Sequence, residues 1–467
     1  MNGGLLPRLI RGIPYILAAI VTTIVLERFG LFAIVDTRML DAFLLTASAR
    51  HGDPFAGQVF PHVTIVGIDN ELYNDKNRFD SKSPLDPKIV AELIADVESE
   101  GPRVVGVDID TTSELYATRD AKTKQLPFVP HADWAPIVWT ASGTFDDDLC
   151  LTGRDPVLGG VRDLLRPKDS VGIDDLPSDD DGQLRHYQRA FASAGSAHCS
   201  ETAVAAPTAW SFVSAVVHAY CSAGSNDCTP EIRSAPATAE RLLIDFRGEC
   251  VAATSSDCIA RAAPKNDNTL SKPHVYVPAS LVLDAGKGAK LGLADRVVLI
   301  GGFYDAGRDA KTTSFGERQG VELLARAIET ELGGGGVRDT PLWAAVLFDV
   351  VVGILLIYVG YRFTLWPALG ITVALFPVTI LLSSVLAFMK LGHWVSIAPI
   401  FFGMALHTAF EDAIESAELR RERESEARHP VETAPDAAEE AAVAPTPAQL
   451  AATPQAAPTP SPPPSAP

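Results

Sequence analysis

Two hydrophobic patterns divide the chain. Between about residues 63 and 300, short runs of mostly apolar residues recur. They are VTIVGID from Val63, RVVGVDID from Arg103, PIVWTAS from Pro136, SVGID from Ser170, RLLIDF from Arg241 and RVVLIGG from Arg296. Most are continuously apolar rather than alternating, the pattern of strands covered on both faces in a parallel sheet. Helical periodicity lies between them. In DPKIVAELIADVESEGP, Ile89, Val90, Leu93, Ile94 and Val97 fall on one face. Asp86 can cap this helix, Pro87 suits its first turn, and Gly101-Pro102 end it. In QGVELLARAIETEL from Gln319, Val321, Leu324, Ala325, Ile328 and Leu332 share a side. Alternating strands and helices predict an α/β domain, a mostly parallel sheet with flanking helices and right-handed crossovers.

The second pattern is longer and more apolar. An N-terminal stretch, 13–29, has a core from Ile13 to Leu26, about 21 Å long as a helix. It can span a bilayer if Arg8 and Arg11 snorkel. A cleaved signal peptide is the rival reading, but Glu27-Arg28 follows the core directly, so an uncleaved anchor is expected. Three further stretches, 342–361, 363–389 and 394–410, approach the ~20 residues a bilayer requires. Trp343, Trp366 and Trp394 stand where an interfacial belt falls. This predicts an all-α membrane region of four helices beside the α/β domain. Arg8, Arg11, Arg362, Arg420, Arg421 and Arg423 then share one face, with Lys390 alone against them. The positive-inside rule makes that face cytoplasmic and residues 30–340 external.

Charge and cysteine usage refine this picture. A formal net charge of -19 repels phosphate backbones, so nucleic acid is not an expected partner. The six cysteines, Cys150, Cys199, Cys221, Cys228, Cys250 and Cys258, all fall in the segment read as external. An even count there suggests disulfides rather than unrelated free thiols. The local pairs Cys221–Cys228 and Cys250–Cys258 are expected, leaving Cys150–Cys199. No Walker loop, zincin motif, Cys-x-x-Cys pair or complete G-x-G-x-x-G is present, and no cofactor is expected.

The candidate site comes from strand ends. Ligands of parallel α/β sheets bind beyond the carboxyl ends of the strands, where Asp69, Asp108 and Asp110 stand. Gly301-Gly302 permit close backbone approach at the same edge, and Arg308 and Asp309 follow in one loop. Two readings stay open: caps and local ion pairs, or a ligand or ion site, with any metal unknown. No nucleophile–base pair accompanies these residues, so an enzyme is not expected. Asp349, inside the second span, either makes an interhelical hydrogen bond or acts as a gating or proton-sensing switch.

One anchor, an α/β domain opening with VTIVGID, the later blocks LLIDFRG, VYVPASLVL and DRVVLIGGFYDAGRDAKTTSFGERQGVELLARAIETEL, and three closing spans together resemble a known family. It is the CHASE sensory domain of the second class, over about residues 30–410. The family's first helix commonly begins with a Trp-Pro-like entry and an Arg-x-x-His pattern, and the corresponding region here, with Lys88 and Val90, reads SPLDPKIVAEL. A His often follows its Gly-Val-Glu stretch, where Leu324 stands. The resemblance implies a homodimeric periplasmic sensor in a bacterial inner membrane, coupled through three helices to a cytoplasmic effector.

The resulting organisation is a cytoplasmic N-terminus (1–12), an anchor (13–29), an extracytoplasmic sensory domain (30–340), and spans at 342–361, 363–389 and 394–410. A charged juxtamembrane helix (411–429) and a disordered Pro/Ala-rich cytoplasmic tail (430–467) follow. The tail has too few large apolar residues to pack an effector domain. The expectation is a membrane-anchored sensor that contacts lipid, binds an external ligand or protein, and signals through a partner protein. The alternative is a scaffolding membrane protein whose external domain binds another protein.

Overall fold

The computed structural model describes the helix 33–51 and residues 61–111, 131–145 except 132, 151–154, 171–191 except 180, 209–224, 241–246, 275–285 and 290–334 except 308. It also describes isolated positions elsewhere, chiefly within 17–26, 338–394 and 416–424.

Six strands form one parallel sheet. They are β1 (Val63–Asp69), β2 (Val104–Asp108), β3 (Ile137–Ala141), β4 (Val171–Ile173), and two later ones. Outside the sheet, β5 (His186–Gln188) pairs antiparallel with β6 (Arg241–Leu243), so the run RLLIDF is not part of it. The sheet is completed by β7 (Tyr276–Pro278) and β8 (Val297–Phe303), in the order β7-β1-β8-β2-β3-β4. Five of the expected runs are therefore sheet strands, and β7 comes from the VYVPASLVL block.

Helices cover both faces, which explains the continuous apolar runs. On one face lie α4 (Phe212–Ser222) and α6 (Gly320–Leu332), packed with Val63, Ile65, Val104, Val138, Val297 and Leu299, and Leu40 and Leu44 of α1 (Ala33–His51) join the same apolar cluster. On the other lie α3 (Pro87–Ser99) and α5 (Ala279–Ala285), packed with Val66, Ile68, Val105, Val107, Trp139, Val298 and Ile300. A short helix, α2 (Asn70–Asn74), follows β1 directly. As expected, Asp86 caps α3 by accepting the Lys88 N–H at 2.8 Å, and Pro87 occupies its first turn.

Two glycines set how closely the helices approach. A Cβ on Gly172 would strike the backbone of Phe212 at the start of α4, and one on Gly301 would lie 2.5 Å from Val321 Cγ2 in α6. The close approach at Gly301 is thus used by a packed helix.

Two pairs of short strands lie late in the chain: a hairpin of β9 (Ala310–Thr313) and β10 (Gly316–Gln319), and a parallel pair of β11 (Arg338–Asp339) with β12 (His393–Trp394). Trp394 meets Phe43 of α1 edge to face, with ring centroids 5.4 Å apart.

Among the described residues no helix is long and apolar enough to cross a membrane. Most of the four predicted spans, including Asp349, lies outside the described residues. The described positions within them include Leu17, Val21 and Val25, and Trp343, Leu347, Val351, Ile354, Leu355 and Tyr358. All are helical, with exposed side chains. A separate unit runs from Phe410 to Pro467. Its described residues, Ser416, Leu419, Arg420, Arg421, Arg423 and Glu424, are helical and exposed.

Candidate functional site

The strand order decides which carboxylates meet. Asp69 and Asp108 end β1 and β2, but β8 lies between those strands, with Asp69 level with Phe303 and Asp108 level with Gly301. Asp69 caps α2, accepting the Leu72 N–H at 2.9 Å. Asp110 is exposed beyond β2, and its charge adds to burial in raising the Tyr116 hydroxyl's pKa. Arg308 lies outside the described residues.

Asp108 and Asp309 do come together. They line a cavity of about 230 Å³ with Ser142, Gly143, Asp174, Asp175, Leu176, Lys311, Gly320 and Leu324. Every contributing segment leaves the carboxyl end of a sheet strand or starts a helix there. Asp108 ends β2, Ser142 follows β3, Asp174 follows β4, and Asp309 follows β8. Gly320 opens α6 and donates its N–H to the Asp309 carbonyl at 2.9 Å. A Cβ at Gly320 would collide with the Asp309 carboxylate, so this glycine makes room for the acid.

The electrostatics follow from burial. Burial pushes the Asp108 carboxyl well above its usual range, the charges of Asp174 and Asp309 push it further, and Lys311 opposes them. Burial likewise raises Asp309, against Lys311 and the Gly320 N–H, and raises Asp175, against Lys311. In this confined space beside one ammonium, Asp108, Asp175 and Asp309 hold their protons more tightly than isolated carboxyls do. The pocket can therefore donate hydrogen bonds as well as accept them, and a bound cation would displace protons from it. Among the described residues no group of His, Cys, Asp or Glu is arranged to hold a metal ion.

The sequence carried a signal for the residues not singled out from it. SVGIDD runs a strand into carboxylates just as VTIVGID and RVVGVDID do, and its Asp174 and Asp175 are pocket residues. Lys311 and Ser142 had no such mark. Of the cysteines, Cys221 and Cys228 form the expected disulfide. Cys150, Cys199, Cys250 and Cys258 lie outside the described residues.

The fold is an α/β domain, a parallel sheet covered on both faces, with an acidic cavity at its strand ends. Residues 16–361 match the family model of the CHASE2 domain. The chain belongs to that family, whose domains are extracellular and sensory. No curated protein and no solved structure matches the chain.

Proposed function

We propose that this protein is a membrane-anchored sensor whose α/β domain lies outside the cytoplasmic membrane and binds a small polar solute in the strand-end pocket. The carrying observation is the convergence of Asp108, Asp174, Asp175 and Asp309 on one cavity at the edge where parallel sheets take ligands. At about 230 Å³ it is smaller than the ~300–1,000 Å³ of drug-sized sites, which suits a metabolite-sized molecule. Its acidic lining favours a solute carrying an amine or other cationic group, with hydroxyls as secondary contacts.

Three features support the membrane arrangement. The apolar side chains of Leu17, Val21, Val25, Trp343, Leu347, Val351, Ile354, Leu355 and Tyr358 are exposed on helical backbone, which suits a lipid-facing surface. The pairing of Arg338–Asp339 with His393–Trp394 brings both ends of segment 340–392 together, as two spans running out and back would. The Cys221–Cys228 disulfide fits an oxidising compartment. Segment 430–467 is too poor in large apolar residues to pack a catalytic core, and in this reading the segment 411–429 relays to a cytoplasmic partner protein.

The redox state of the disulfide tests the location. Cells are treated with a membrane-permeant maleimide before lysis, and the peptides bearing Cys221 and Cys228 are weighed. The reading predicts an unalkylated, linked pair. Two alkylated thiols would place the domain in a reducing compartment and overturn it.

A further inference from the structure

Outside the pocket, a cluster of charged side chains around a buried arginine joins α1 to the rest of the domain. Arg185 is fully buried. Its Nε donates to Asp41 Oδ1 at 2.7 Å and its Nη2 to Asp41 Oδ2 at 2.9 Å, a two-point fork onto α1. The remaining donors reach Asp179 at 3.0 Å, Asp181 at 2.8 and 2.9 Å, and Gln183 at 3.0 Å. Burial disfavours the Asp179 carboxylate, but His186, Arg185 and Arg241 hold its pKa below the ordinary value. Leu40 and Leu44 of α1 are buried beside this hub. The helix that follows segment 13–29 is therefore fastened by a side chain 144 positions away.

Two stretches of chain run from the pocket to this hub. One is the segment from Asp174 and Asp175, which line the pocket, to Asp179, Asp181 and Arg185, which form the hub. The other is the β9–β10 hairpin. Its base is pocket wall, with Asp309 just before one strand, Lys311 on it and Gly320 just past the other. At its tip, the Ser314 hydroxyl donates to the same Asp41 carboxylate that Arg185 holds. The hairpin is held along its length. Leu184 N–H donates to the Thr312 carbonyl at 2.8 Å, Thr313 Oγ1 donates to the Gly316 carbonyl at 2.7 Å, and Phe315 stacks on Phe246 at 5.1 Å. A displacement at the base therefore has little slack to be absorbed before it reaches Asp41.

We propose that the β9–β10 hairpin is a lever that couples the pocket to α1 through the Ser314–Asp41–Arg185 junction. Occupancy of the pocket then changes how firmly α1, and the segment 13–29 before it, is held. The purpose given to this lever rests on the sensor reading. The coupling itself does not, because it can be displaced without any solute. A ligand can act this way only by binding the latched and released states with different affinity.

The test is hydrogen exchange on the full-length chain in detergent micelles, without ligand. Gly320→Ala forces the Asp309 carboxylate aside at the hairpin base and touches no residue of α1. The expected result is at least tenfold faster exchange across 33–51, with β1 and β8 amides as protected as in the wild type. Unchanged exchange in α1, with altered exchange in 310–319, would overturn the proposal. If Gly320→Ala lowers protection of the central strands, Lys311→Met perturbs the same base and is judged by the same two outcomes. Arg185→Met must itself speed α1 exchange, and if it does not, the hub does not hold the helix and the proposal fails. A pocket that binds no solute would undo the sensor reading and leave the coupling result standing. Unchanged α1 exchange would undo the coupling alone.

Discussion

Glu98 gives the sharpest quantitative prediction. It sits in the last turn of α3, buried, with Oε2 accepting the Ala135 N–H at 2.9 Å. Its other oxygen is buried without a hydrogen-bond partner among the described residues. Burial raises its pKa from 4.5 to about 7, the Ala135 N–H opposes this, and Asp133 adds to it. The native state thus binds this proton more tightly than the unfolded chain does. The stabilisation is fully present below about pH 4.5 and is lost as pH rises toward 7. At ~1.4 kcal/mol for each tenfold change in proton affinity, ionising Glu98 in the native state costs about 3 kcal/mol. Glu98→Gln keeps the shape and the acceptor for Ala135 and removes the ionisation. The variant should match wild type near pH 4.5 and exceed it by up to about 3 kcal/mol at pH 8, roughly 6 °C in Tm for a domain of this size. Differential scanning calorimetry of the full chain across pH 4.5–8 reads the difference directly. An equal difference at both ends, or one that shrinks as pH rises, would refute the assignment.

Other expectations follow from buried contacts. Arg185→Met leaves Asp41, Asp179 and Asp181 without their shared cation and should cost about 3–5 kcal/mol, seen as a lower denaturant midpoint. Arg185→Lys should recover only part of this, because an ammonium cannot fork onto the two oxygens of Asp41 while reaching Asp179. Gly172→Ala places a methyl against the Phe212 backbone and should cost ~1–3 kcal/mol by overpacking. An unchanged midpoint would mean that α4 can retreat from the sheet without loss.

Much of the sheet was legible because burial on both faces writes itself into continuous apolar runs. The helices 87–99 and 320–332 were legible because one face of each is apolar, and the first also carries Asp86 with Pro87 at its start and Gly101-Pro102 beyond its end. Strand order was not, since periodicity reports what an element is and not what lies beside it. That is why β8, contributed from over two hundred residues downstream, separates Asp69 from Asp108, and why Asp69 caps a helix while Asp108 enters the pocket. RLLIDF reads as a sheet strand by composition alone, yet pairs with β5, a run too short and too polar to stand out. The Arg185 hub was invisible for a related reason. A lone arginine in QLRHYQ and one of two aspartates in a helix of weak amphipathicity acquire their meaning only when the fold brings them together.

The most direct measurement of the central claim is calorimetric titration of the full-length protein with small amines, amino acids and polyols, repeated at pH 5.5 and pH 8 and in Asp108→Asn. The account predicts an amine-bearing solute that binds more tightly at the higher pH, because Asp108, Asp175 and Asp309 release protons when a cation enters. It also predicts at least tenfold weaker binding in Asp108→Asn. No heat from any compound, or binding indifferent to both pH and the loss of the Asp108 charge, would contradict the assignment of the strand-end pocket as the sensing site.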